Sequence, residues 1–154
     1  MAPIRPSDMG SEERGAALVE FALALPLLLV VFAGIVDFGF AFQRYEVVTN
    51  AAREGARLAS LPGYDDQTAV DNRVRAYVME GLNISSSNLG ANMPSGAVTL
   101  TDSTMTVNGT VFPTATVTVA YQHNFLLLGP LLGLINKSWN GTITLTATSQ
   151  MRKE

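Results

Sequence analysis

The hydrophobic pattern of the chain changes three times. From Phe21 to Val36 no residue is charged, and the run is bounded by Glu20 on one side and Asp37 on the other. About 20 predominantly apolar residues suffice to cross a bilayer as a helix. At a rise of about 1.5 Å per residue the two acids stand roughly 25 Å apart, near the two edges of a hydrocarbon layer. Pro26 interrupts the run. It would cost about 3 kcal/mol in a water-exposed helix interior, but membrane helices tolerate it. Past Asp37 the pattern becomes amphipathic. Val47, Val48, Ala51, Ala52, Gly55, Leu58 and Ala59 fall on one side at a period of about 3.6. Arg44, Glu46, Asn50, Arg53, Glu54 and Arg57 mostly fall on the other. Leu61-Pro62-Gly63 stops the pattern. The expectation is one helix from about Glu13 to about Ser60, near 70 Å long.

A second helix follows, with Val70, Val74, Tyr77, Val78 and Leu82 on one face and Asp65 or Asp66 as its N-cap. "SSSNLGANMPSG" reads as a loop by composition. From Ala97 the period becomes two. "AVTLTDS" and "TMTVNGT" are short alternating runs with turn residues between them. "TATVTVAYQH" places Val117, Val119 and Tyr121 on one face, and "GTITLTATSQ" turns Ile143, Leu145 and Ala147 inward and its threonines outward. Such β-branched alternation predicts half-buried antiparallel strands. The fold class is α+β, with a sheet of about four strands covered on its apolar face by the second helix and the outer part of the first. "FLLLGPLLGLINKSW", Phe125 to Trp139, fits neither pattern. It is too short to span a bilayer, which leaves a buried connection or an exposed apolar loop that meets the membrane or a neighbouring subunit.

Composition narrows the chemistry. The 154 residues carry a net charge of -3, with 15% charged and 47% hydrophobic residues and no cysteine. No basic stripe marks a nucleic-acid surface. Disulfides and thiolate chemistry are absent. His123 is the sole histidine, with no ligand-spaced partners for a metal or nucleophilic site, and reads as a polar residue at a strand end. Asn83, Asn108, Asn136 and Asn140 begin Asn-x-Ser/Thr patterns that turn chemistry explains. No phosphate loop, catalytic triad or general-acid pair stands out, so the expectation is a non-enzyme without cofactor or metal.

Glu20 remains. A carboxylate at a helix start is favoured by the macrodipole by under about 1 kcal/mol. Polar residues within membrane segments more often act. If the chain is cut between Gly15 and Ala16, a free amine appears one turn from Glu20. Amine and carboxylate satisfy each other in low dielectric, within one helix or between staggered subunits. Asp37 has two readings of its own: pairing with Arg44 or a neighbouring subunit, or a hydrated carboxylate at the interface.

These features together resemble one family. The Gly15 cleavage position, the Glu20-Phe21 pair, the apolar run with Pro26, Asp37 and "AAREGAR" (Ala51 to Arg57) look like the TadE-like pseudopilins of the tight-adherence (Flp, type IVc) pilus system. The resemblance covers Arg14 to about Ser60. It implies a leader over residues 1–15, a transmembrane and extended amphipathic helix over 16–62 and an extracytoplasmic domain over 63–154. It further implies a pilin-like fold, cleavage by a prepilin peptidase, assembly through Glu20 and Phe21, and a role as minor pilin or pseudopilin with other pilins and the assembly machinery as partners. Asp37, Arg53, Glu54 and Arg57 are the expected subunit contacts. The leader departs from the usual pattern, because Asp8, Glu12 and Glu13 offset Arg5 and Arg14. Arg5 and Arg14 precede the span and Arg44, Arg53 and Arg57 follow it, so a plain positive-inside count would not put the N-terminus in the cytoplasm, and domain size argues the other way. The larger C-terminal part is the one expected outside the cytoplasmic membrane. The competing expectation is an uncleaved, membrane-anchored extracytoplasmic binding module.

Overall fold

The computed structural model describes residues 6–64, 66–135 and 141–154. Its first element, α1 (Pro6–Ala59), is one continuous helix with Pro26 inside it. It is already helical at Pro6, about two turns earlier than the hydrophobic pattern implies. Arg5 lies outside the described residues. The inner half of α1 is bare. Phe21, Leu23, Leu27, Leu28 and Phe32 are all more than half exposed, and only 6% of the most apolar 18-residue window is buried. A core helix of a soluble domain would show the reverse, because leaving such surface in water costs about 25 cal/mol per Å².

The outer half of α1 is a core element. Val48, Ala51, Ala52, Ala56 and Ala59 are buried, while Arg53 and Arg57 face solvent. They pack against α2 (Gln67–Leu82), whose Val70, Val74 and Val78 are buried. Asp66 caps α2, accepting the Ala69 N–H at 3.0 Å; Asp65 lies outside the described residues. Asn83 ends α2 at a left-handed φ of 51°, which is the turn role expected of it.

Three antiparallel strands lie beneath: β1 (Val98–Val107), β2 (Thr110–Asn124) and β3 (Thr142–Arg152), in the order β1-β2-β3. The α+β class stands, but the expected count of about four strands becomes three among the described residues. The two runs "AVTLTDS" and "TMTVNGT" form one strand. Asp102-Ser103 has turn composition, yet the Ser103 hydroxyl lies 2.8 Å from both Thr114 Oγ1 and Thr116 Oγ1 across the β1–β2 ladder. A side chain satisfied across the sheet has no reason to turn the backbone. The actual turn is Asn108-Gly109, both at positive φ, joining Val107 to its partner Thr110 as a two-residue hairpin loop requires.

Val117, Val119 and Tyr121 of β2 and Ala147 of β3 face the helices and are buried, as their alternation predicts. One expectation fails: "SSSNLGANMPSG" is not all loop. α3 (Ser86–Asn92) is a short helix with Leu89 buried and Met93 at its end fully enclosed. Arg75 of α2 clamps that end, donating to the carbonyls of Met93 at 2.7 Å and Pro94 at 3.0 Å. A seven-residue helix has no propensity of its own to show in a sequence; its two buried side chains and this clamp hold it. The apolar stretch between β2 and β3 also contains a helix, α4 (Leu128–Ile135). Asn136, Trp139 and Asn140 lie outside the described residues.

Candidate functional site

The residues singled out by sequence fall at three levels of α1. At the inner level Gly15, Ala16, Glu20 and Phe21 are all exposed. A Cβ placed on Gly15 would meet nothing within 4 Å. Glycine inside a helix costs about 0.5–1 kcal/mol relative to alanine, so packing gives no reason for glycine here. Among the described residues Glu20 has no ion-pair partner.

At the outer end of the apolar run Asp37 is buried, 1% exposed. Its Oδ1 accepts the Leu126 N–H at 3.1 Å, and its Oδ2 accepts those of Leu127 at 2.9 Å and Leu128 at 2.7 Å. Leu128 opens α4 and the other two amides lie just before it, so Asp37 caps a helix about 90 residues away in sequence, satisfying donors that a helix start leaves orphaned. Within the chain Asp37 is therefore enclosed rather than hydrated, and its hydrogen-bond partners are backbone amides rather than Arg44.

Arg44 instead reaches His123. Its guanidinium can only donate, so Nη1–H donates to His123 Nδ1, which fixes the neutral tautomer with the proton on Nε2. Among the described residues that Nε2 is buried without a hydrogen-bond partner. His123 stands at the end of β2 as expected, but it is 1% exposed and meets the Phe125 ring edge-on at 5.1 Å. Phe125 in turn meets Phe38 at 5.7 Å. A small cleft lies among Asp37, Phe40, Arg44, His123 and Phe125. Burial, then the Arg44 charge, lower the His123 pKa from 6.5, with Asp37 opposing. The unfolded chain therefore takes up the proton at a higher pH than the fold does. The His123 contribution is complete above 6.5 and is lost as the pH falls below that value towards the lowered folded pKa. Thermal unfolding of the full chain in detergent should show a declining melting temperature over that window, and His123→Gln should flatten the decline. An unchanged pH profile in that variant would show that another group governs it.

The third level is "AAREGAR". Glu54 accepts two hydrogen bonds from Arg57, both at 2.9 Å, and two from Arg73 of α2 at 3.0 and 2.7 Å. Arg57 holds the Glu54 carboxyl down at about 2, against the upward push of partial burial and with further help from Arg73. Arg53 is exposed, 3.3 Å from Asn50. The small residues serve packing inside the chain: a Cβ on Gly55 would stand 2.7 Å from Val74 Cγ2, and one on Gly81 would stand 2.8 Å from Val47 Cγ1.

A long helix, bare over one half and built into a small α+β head over the other, is a candidate membrane anchor and the single candidate span among the described residues. Residues 15–57 match the family described as TadE-like protein, so the anchor and its continuation carry that family's signature. No curated protein and no solved structure matches the chain. The matched segment starts at Gly15 and includes Glu20, Asp37 and "AAREGAR".

Proposed function

We propose that the protein is a minor pilin or pseudopilin of the tight-adherence (Flp, type IVc) pilus, without enzymatic activity, cut by a prepilin peptidase between Gly15 and Ala16. The observation that carries this reading is the start of the family match on a glycine that packing does not require. A protease needs extended backbone, and glycine at a helical junction lowers the cost of unwinding there. The N-terminus lies in the cytoplasm and the head outside the inner membrane. After cleavage the new amine of Ala16 and the carboxylate of Glu20 supply complementary charges at the inner level of the helix. Phe21, fully in the bare half of α1, packs with neighbouring subunit helices. Arg53 and Arg57, both exposed, remain available for contacts along the fibre.

Intact-mass measurement of the protein extracted from its native membrane tests the reading. The expected mass lacks residues 1–15, and Gly15→Leu should restore the full-length mass by blocking the cut. A wild-type protein that keeps its leader would instead be a permanently anchored extracytoplasmic binding module.

A further inference from the structure

We propose that the segment from Phe125 through α4 is a second membrane contact, a foot that lies in the headgroup and upper acyl region of the same bilayer that α1 crosses. The proposal rests on α1 spanning that bilayer. It does not depend on leader cleavage or on pilus assembly.

Depth is the first argument. Asp37 is the first charge after the run Phe21–Val36 and Arg44 the next, so the outer edge of the hydrocarbon layer lies at their level. The Asp37 oxygens hold the amides of Leu126, Leu127 and Leu128 at 2.7 to 3.1 Å. The start of α4 is thus fixed at the depth of that edge. The loop is also closed at its base, where the Phe125 N–H donates to the Gly141 carbonyl at 2.9 Å. It cannot drift far along the bilayer normal.

Chemistry is the second argument. "FLLLGPLLGLI", Phe125 to Ile135, has no polar side chain. Leu126 is 67% exposed, and Leu127 and Leu131 are also exposed. On α1 at the same level Phe38, Phe40 and Phe42 are exposed too. These exposed side chains stand beside the outer end of the bare span, so the solvent that covers the span covers them. In the membrane, before any subunit packs on the bare half of α1, the occupant is therefore lipid rather than a second protein. Eight residues of helix extend about 12 Å, too little to cross and enough to lie flat in the interface. Capping by Asp37 makes this possible, because a helix start in a water-poor layer needs its amides satisfied from within the protein.

The absence of cysteine from the sequence permits a direct test on the full chain, reconstituted in phosphatidylcholine–phosphatidylglycerol vesicles. Leu28→Cys, Leu126→Cys, Leu131→Cys and Asn108→Cys are each labelled with an environment-sensitive fluorophore. Quenching is measured by aqueous iodide and by lipids carrying nitroxide near the headgroup or at mid-chain. The expected result has Leu28 quenched by mid-chain nitroxide and Asn108 by iodide. Leu126 and Leu131 are quenched by shallow nitroxide, with iodide quenching several-fold weaker than at Asn108. Iodide quenching at both leucine sites equal to that at Asn108 would place the foot in water and overturn the proposal. Shielding from both quenchers would mean that protein covers it, and would overturn the proposal equally. If Leu28 itself escapes mid-chain nitroxide, the span reading fails and the foot falls with it. A failure at Leu126 and Leu131 alone leaves the span intact.

Discussion

Gly55→Leu should lower the melting temperature of the protein by about 15 °C or more, the cost of several kcal/mol of overpacking in a domain of this size. α1 crosses α2 and the sheet at this glycine. Its missing side chain makes room for Val74 and Val117, whose methyl carbons would lie 2.7 and 3.2 Å from a Cβ. Valine is stiff at χ1, and both valines are fully buried, so neither can move aside cheaply. Alanine at the same place gains about 1 kcal/mol of helix propensity and loses about 1–3 kcal/mol to the clash, so Gly55→Ala should be neutral to mildly destabilising. Leucine adds three further carbons to a space already closed. Thermal unfolding followed by circular dichroism in detergent checks both variants. A leucine variant as stable as wild type would mean that the two helices can separate without loss, and that the small residues of "AAREGAR" do not set their approach.

Glu20→Gln should leave membrane insertion and leader removal intact and abolish piliation. Within the chain Glu20 is exposed among lipid-facing residues and has no ion-pair partner among the described residues. Replacing a carboxylate by an amide lowers the cost of that environment, so insertion is unharmed or improved. On the proposed reading, the Ala16 amine of a processed neighbour is then left unpaired in low dielectric, an effect of several kcal/mol. A macrodipole contribution alone would amount to less than about 1 kcal/mol and would allow near-normal assembly. Complementation of a deletion strain, with leader removal and pilus number scored separately, distinguishes the two. Normal piliation by the amide variant would reduce Glu20 to a helix-start residue.

Much of the molecule was legible in the linear pattern because the forces involved are local or periodic. The uncharged run from Phe21 to Val36 states its own solvent. The 3.6-residue recurrence from Val47 to Ala59, and the two-residue alternation through Val117, Val119 and Tyr121, state which side of each element is buried. Asn83 and Asn108 announced turns through a side-chain chemistry that tolerates positive φ. The TadE-like signature was equally local, contained in one helix.

What the sequence left open depended on partners far apart along the chain. Asp102-Ser103 resembled a turn until the hydroxyls of Thr114 and Thr116 arrived across the sheet. Leu89 and Met93 formed a helix only because α2 and the sheet enclosed them. Asp37 and the apolar stretch after Phe125 were each conspicuous alone, but nothing in their order reveals that one caps the other across about 90 residues. His123 belonged to Arg44 for the same reason. A sequence fixes an element's preference for water or for apolar surroundings, because that is a property of its own side chains. Which buried carboxylate meets which orphaned amide is decided only when folding brings the two to the same depth, and at the outer end of this span the tertiary structure made that choice.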